Sequence, residues 1–352
     1  MNQKLMQAAV YFGPNDIRIT EWPIPELEPG DVLLKVLAAS ICGTDLRILH
    51  GSHSKFVDGI HRVPGHEIVG EVVEVGDGVE GIEIGQRFFV APNMGCGHCD
   101  QCTTGNNNRC RNMEALGVTM DGGFAEFVRL PAKGVQQGCL IPFSEKKDPA
   151  VGALIEPLAC VLRAQQAIQV GMNDYVLVIG AGPIGVMHVK LAKLLGAAKV
   201  VVSEMIEFRR KQAKDLGADR VVDPVNEDLN SIIKEETEGL GADVVIVAAP
   251  AHKAQEQALE LASIGGRISF FGGLPKDQPM INCNSNLVHY KELIVSGTTA
   301  SSTENCRQAS ILVNNNSIDL SSLVSARFPL SQIKEAFANA EERHALKIVV
   351  EP

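Results

Sequence analysis

Nowhere in the 352-residue chain does an uninterrupted apolar run approach the roughly 18 residues that a membrane helix needs, which argues against a helical span. The opening residues, Met1 to Gln7, lack the apolar stretch of a signal peptide, so a cytoplasmic location is the expectation. Positive charge is in deficit: 32 Lys and Arg against 42 Asp and Glu leave a formal net charge of −10. That balance argues against a nucleic-acid surface or an anionic membrane as partner. Disulfides are not expected either, since nothing marks the chain as secreted and five of its nine cysteines fall at metal-ligand positions. The other four, Cys139, Cys160, Cys283 and Cys306, are scattered and read as small, unreactive apolar side chains. What is present is ordinary for a globular chain, 45% hydrophobic and 21% charged, of a length that predicts about two domains.

The first half, to about residue 156, reads as short strands broken by Gly and Pro. Ala8 to Phe12, Val32 to Ala39, Ile68 to Val75 and Gly85 to Val90 are apolar or alternating, with no long helical period between them. This pattern predicts a β-rich, barrel-like domain. Within it, Val63-Pro64-Gly65-His66-Glu67 places an imidazole and a carboxylate side by side after a glycine that permits a bend. Cys42 lies in Ile41-Cys42-Gly43-Thr44-Asp45, where the strand from Val32 runs out. Thiolate, imidazole and carboxylate form a mixed ligand set that suits Zn²⁺, and three protein ligands leave one exchangeable position. Oxygen-rich coordination leaves room for Mn²⁺ or Fe²⁺, and Cys42 favours zinc.

Cys96, Cys99, Cys102 and Cys110 give C-x2-C-x2-C-x7-C in a glycine-rich lobe of about residues 95–111. Four thiolates close a tetrahedron, so this second zinc is expected to be structural. An iron–sulfur cluster also takes four thiolates, but the spacing is not the usual ferredoxin run.

With Cys42-Gly43-Thr44-Asp45, Gly65-His66-Glu67, the four-cysteine lobe, Asp121-Gly122-Gly123-Phe124-Ala125-Glu126 and Glu156-Pro157-Leu158, the chain resembles the zinc-containing medium-chain alcohol/polyol dehydrogenases over essentially its whole length. It is most similar to the sorbitol (L-iditol), threonine and sugar-alcohol-phosphate branch. The resemblance implies a GroES-like catalytic domain (residues 1–156 and 299–352) and a Rossmann domain (157–298), with the active site in the cleft between them. It implies catalytic ligands Cys42, His66 and Glu67, with Glu156 as a fourth or water-mediated ligand, and Thr44 as the hydroxyl that passes the alcohol proton outward. It further implies two zinc ions per chain and a homodimer or homotetramer.

From Tyr175 the pattern changes. Tyr175 to Ile179 is a continuous apolar run suited to a buried parallel strand. It feeds into Gly180-Ala181-Gly182-Pro183-Ile184-Gly185 and an apolar helical stretch ended by Gly196. Strand, G-x-G-x-x-G and helix together are a dinucleotide fingerprint: Gly180 for the turn, Gly182 for close approach of the pyrophosphate, Gly185 for helix–strand packing. Glu204 ends the next strand 19 residues after Gly185, where a carboxylate binds ribose hydroxyls and repels a 2′-phosphate, favouring NAD. Arg209 and Arg210 pull toward NADP, although NAD-using relatives also carry an Arg where Arg209 falls. Strands at Val221 to Asp223, Asp243 to Ala248, Arg267 to Phe271 and Leu293 to Gly297 complete a doubly wound parallel sheet. Gly272, Gly297 and Thr298 lie just past strand ends, where the resemblance places the nicotinamide. Lys347 to Val350 returns as a strand of the first domain.

The expected reaction is NAD-linked oxidation of a secondary alcohol to a ketone. Five residues after Cys42, threonine dehydrogenases and many alcohol dehydrogenases place a His; this chain has Arg47, which cannot relay a proton but suits a phosphate or carboxylate. Residues 47–62 also hold His50, His53, Lys55, His61 and Arg62 against one acid, Asp58. That cationic island suggests a polyol or phosphorylated polyol as substrate, with a solvated loop facing away from the cleft as the other reading. L-Threonine 3-dehydrogenase, against which Arg47 in place of that group's His speaks, or a butanediol-type dehydrogenase is the alternative enzyme. A non-catalytic nucleotide-binding relative is the remote one, since fold alone does not give function.

Overall fold

The computed structural model describes residues 4–342 and 344–352. Met1 to Gln3, part of the stretch read for a signal peptide, lie outside them. Two compact units emerge, one formed by Met1–Ala159 with Ala300–Pro352 and the other by Cys160–Thr299. Among the described residues no helix is long and apolar enough to cross a membrane.

The first unit is built on a seven-stranded sheet. Strand Val32–Ser40 is its spine, pairing antiparallel with Glu67–Val75, Phe127–Leu130 and Lys347–Glu351. Arg87–Val90 and Leu140–Pro142 extend one side, and Val324–Pro329 lies parallel to Lys347–Glu351 on the other. Val32, Leu34, Val36, Ala38 and Ala39 are fully or almost fully buried, which is why the run reads as apolar rather than alternating. Two small separate sheets accompany it, the hairpin Leu5–Gly13 with Asp16–Pro23 and the pair Asn93–Met94 with Glu114–Ala115. The first sheet ladder therefore delivers Ser40, and with it the Cys42 turn, opposite Glu67.

The second unit is a six-stranded parallel sheet ordered Arg220–Val222, Lys199–Ser203, Tyr175–Ile179, Ala242–Val247, Ala262–Phe270, Ile294–Ser296. The order reverses between Tyr175–Ile179 and Ala242–Val247, the switch point at which open α/β sheets bind ligands beyond the carboxyl ends of their strands. Both faces are covered: Val176, Val178, Val244 and Ile246 pack into one apolar cluster and Leu177, Ile179, Val245 and Val247 into another.

At the opposite end one carboxylate gathers three strand starts. Glu236, last residue of helix Leu229–Glu236, accepts from Tyr175 Oη (2.5 Å), Lys199 Nζ (2.8 Å) and Arg220 Nη1 (2.7 Å). Burial alone would lift its carboxyl, but the three donors outweigh it and hold the group down to about 2, against an ordinary 4.5. A lowered folded value means stability that is present above the unfolded value and lost as pH falls through the folded one. Urea unfolding is therefore expected to show the wild type losing stability between about pH 4.5 and about pH 2, and Glu236→Gln to lack that component. Equal pH slopes in the two proteins would contradict it.

Candidate active site and metal centres

Cys42 sits immediately past the central strand, as the residue capping the short helix Gly43–Leu49. His66 and Glu67 begin the neighbouring strand after Gly65, whose φ of +93° only glycine adopts easily. The Pro64–Gly65 turn is laced to the Asp121–Phe124 segment: Gly122 N donates to Val63 O (2.8 Å), Gly123 N to Gly65 O (2.8 Å) and Phe124 N to Pro64 O (3.1 Å). A side chain at Gly122 would fall 2.1 Å from Gly65 O, so backbone-on-backbone packing requires glycine there, while one at Gly123 would fall 2.6 Å from the Ile68 side chain.

The structure brings Cys42, His66 and Glu67 together, with donor atoms within 4.8 Å of one another. Glu67 is fully buried; its Oε2 accepts from Ser40 Oγ and Lys347 Nζ, while Oε1 has no hydrogen-bond partner. Burial, with Glu156 nearby, lifts the Glu67 carboxyl to about 7 although Lys347 and His66 pull it down. His66 is pushed down by burial, yet Asp45 and Cys42 hold its imidazolium well above the ordinary 6.5. The cluster thus concentrates negative charge around a free carboxylate oxygen, and the S, N and O donors match a borderline cation such as Zn²⁺. Glu156 is buried near enough to act on Glu67 and Lys347 by charge but is not one of the three clustered donors.

Two residues that carry this geometry had no assigned role in the sequence. Asp45, with no exposed surface, accepts from Cys42 N (2.9 Å) and Gly65 N (3.2 Å), and its Oδ1 lies 3.6 Å from His66 Nδ1. It clamps both ligand turns, and His66 Nδ1 is left buried without a hydrogen-bond partner. A C-x-x-D capping pattern was the available signal, since Asp45 is the third residue of the helix that Cys42 caps. Lys347, first residue of the C-terminal strand and 4% exposed, joins Glu67 to Ile41 O (3.0 Å). No local pattern announces it.

Arg47 is exposed on the same helix and donates from Nη2 to Thr44 Oγ1 at 3.0 Å. The rest of the expected cationic island is dispersed. Arg62 donates to Lys55 O (3.2 Å) and Val118 O (2.6 Å) and lies over Phe56; His50 pairs with Glu341 (2.6 Å); His61 packs on Phe12. Packing and local pairing use these groups, so charge counted along residues 47–62 does not translate into one anion site.

The four-cysteine lobe is a second centre. Its sulfurs stand 3.5 Å (Cys99–Cys102), 3.8 Å (Cys99–Cys110) and 4.0 Å (Cys96–Cys102) apart, and all four cysteines are free thiols. Zinc at about 2.3 Å from four thiolates puts the sulfurs about 3.8 Å apart, whereas a disulfide needs about 2.05 Å. Backbone N–H groups of His98 and Cys99 hold the Cys96 thiol down to about 6, while burial raises Cys102 to about 11. Asn107, inside the lobe, donates to Asn93 O (2.7 Å) and Thr303 Oγ1 (3.1 Å), tying the lobe to the start of helix Thr303–Asn314. Of the remaining cysteines Cys139 and Cys306 are buried, but Cys283 is exposed rather than packed.

In the second unit Gly180 has φ +100°, and a side chain at Gly185 would fall 1.9 Å from Gly180 O. Pro183 opens helix Pro183–Leu194, followed by Ile184, so the first turn presents backbone N–H groups where a pyrophosphate binds. Glu204 accepts from Ala181 N (2.8 Å) and Ile206 N (2.9 Å), fixing its carboxylate beside the fingerprint. Arg209 Nη1 comes within 3.7 Å of a side chain built on Gly182, while Arg210 is held by Asp223 (3.0 Å). Gly272 N donates to Val247 O (2.9 Å), and Gly297 and Thr298 follow edge strand Ile294–Ser296.

The clamp at Asp45 is testable by metal analysis. The wild type is expected to retain two zinc ions per chain, and Asp45→Ala to lose the Cys42–His66–Glu67 ion with about 10- to 100-fold weaker affinity while keeping the four-cysteine ion. Unchanged affinity at both centres would contradict the role.

Residues 28–140 match the model of the alcohol dehydrogenase GroES-like domain and residues 183–315 that of the zinc-binding dehydrogenase. The chain is 35% identical to the L-threonine 3-dehydrogenase of Thermococcus kodakarensis, covering 99% of this chain and 98% of that one. Among solved structures it is similar to a putative zinc-binding dehydrogenase from Sinorhizobium meliloti 1021 bound to NADP (TM-score 0.90, 34% identity, 99% and 100% covered). The 2R,3R-butanediol dehydrogenase from Bacillus subtilis is close behind (TM-score 0.88, 30% identity, 99% of each chain). Fold, donor sets and these likenesses agree on zinc and NAD(P) as cofactors, and the chain belongs to the zinc-dependent medium-chain alcohol dehydrogenase family.

Proposed function

We propose that this dehydrogenase oxidises a small secondary alcohol with a polar neighbour, L-threonine at its hydroxyl-bearing carbon before others and vicinal diols of the butanediol type next. The observation that carries the reading is the convergence of Cys42, His66 and Glu67, with Thr44 two residues after Cys42 on the adjoining helix. Zinc held there would supply a Lewis acid that lowers the alcohol's pKa, and the bound dinucleotide a hydride acceptor.

Thr44 supplies the path for the hydroxyl proton. Its Oγ1 already accepts an N–H from Arg47, so one lone pair is taken, the other is left to accept from the alcohol, and its own O–H donates outward. Arg47, permanently charged, offers the remaining donors of its guanidinium to a substrate carboxylate. Threonine fits that pairing, and the relatives named as L-threonine 3-dehydrogenases support it. The dispersed cationic island weakens the phosphorylated-polyol reading, which ranks below both threonine and the vicinal diols. Glu204, fixed by two backbone donors, and Arg210, occupied by Asp223, favour NAD over NADP.

Dinucleotide reduction measured against L-threonine, 2,3-butanediol, sorbitol and sorbitol phosphate tests this directly. L-Threonine with NAD is expected to give the highest kcat/KM, and Arg47→Ala to raise KM for threonine about 10-fold or more with less effect on butanediol. Turnover confined to sorbitol or its phosphate would overturn the substrate reading. A preference for NADP would overturn the cofactor one.

A further inference from the structure

The fingerprint helix of the dinucleotide unit contains a residue that nothing in the proposed reaction uses. His188, three residues after Gly185 on helix Pro183–Leu194, has no exposed surface, and neither has Gln165 on helix Ile155–Ala167. The Gln165 amide nitrogen faces His188 Nδ1 (3.1 Å) and donates to His188 O (2.8 Å). Nδ1 is therefore the accepting nitrogen and the ring carries its proton on Nε2. His188 Nε2 and Gln165 Oε1 are both buried without a hydrogen-bond partner. Burial drives the imidazole down to about 3, so it stays neutral at any working pH. An apolar pair would fill this place without orphaned polar atoms, so stability gives no reason for a histidine here.

What the ring does touch is Phe271, edge to face, with centroids 5.0 Å apart and planes at 86°. Phe271 follows strand Ala262–Phe270 on the side of the sheet where the switch point opens. Phe271 N and Gly272 N both donate to Val247 O, at 3.1 and 2.9 Å, and Gln255 Nε2 donates to Gly272 O at 3.0 Å. A side chain at Gly272 would meet the Ala249 backbone at 2.7 Å. His188 thus links the helix that begins at the pyrophosphate turn to the strand-end turn beside the crevice.

We propose that Gln165 and His188 form a buried positioning pair that, through Phe271, holds the Phe271–Gly272 turn at the spacing from the fingerprint helix that a bound nicotinamide dinucleotide requires. Gln165 fixes the ring's tautomer and orientation, and His188 sets the plane of Phe271.

Dinucleotide binding to the full-length protein, followed by the fluorescence of NADH or NADPH, whichever the wild type binds more tightly, tests this without any alcohol substrate. It therefore remains decisive whatever becomes of the threonine reading. His188→Leu and Phe271→Leu are each expected to raise Kd about fivefold, and the double variant no further than the worse single, with melting temperatures near the wild type. Kd within about twofold of the wild type in a folded His188→Leu protein, or losses that multiply in the double variant, would overturn the proposal. Should His188→Leu not fold, Gln165→Leu takes its place in the cycle under the same two criteria.

Discussion

The candidate active site depends on one buried carboxylate holding two turns together. Asp45 accepts the backbone N–H groups of Cys42 and Gly65, residues of adjacent antiparallel strands' ends, and so fixes a thiolate and an imidazole–carboxylate pair on one point. Neither turn is regular structure, and a donor left unpaired at either would carry the full desolvation penalty of a buried amide. The glycines beneath, Gly65 and Gly122, let backbones approach where side chains would not fit. Lys347 completes the arrangement by balancing Glu67, so a fully buried carboxylate beside a thiol is tolerated without a metal and keeps one oxygen free for it.

Much of this was legible because it is local. The run Tyr175–Ile179, the glycine fingerprint and the C-x2-C spacings each encode a geometry within a few residues, and the structure builds a parallel strand, a phosphate-type turn and a sulfur cluster from them. Asp45 was within reach as a capping pattern. Lys347 was not, because its partner Glu67 lies 280 residues away. The cationic island misled for the opposite reason: linear density of charge says nothing of direction, and Arg62 and His50 turn toward carbonyls and Glu341. Strands Asp16–Pro23 and Val324–Pro329 were also hidden, since they are half-exposed and lack the apolar density of the central ladder.

The two units solve different problems with the same means. In the first, buried charge is arranged so that a cation is the missing partner. In the second, backbone N–H groups at the start of helix Pro183–Leu194 and the pinned Glu204 carboxylate present complementary polarity to a dinucleotide. Through Asn107 the Cys96–Cys110 lobe is tied to the start of helix Thr303–Asn314 within the first unit.

Two donor clusters of unlike make-up, four cysteines in one and a single cysteine with His66 and Glu67 in the other, call for two ions in unlike coordination. X-ray absorption at the zinc edge of the purified protein tests it most directly. Five sulfur ligands shared between two zinc ions are expected, from Cys42 and the four lobe cysteines, with nitrogen from His66 and oxygen from Glu67 bound directly to the ion at Cys42. A spectrum described by four sulfurs around one ion, with no nitrogen or oxygen ligation, would contradict it.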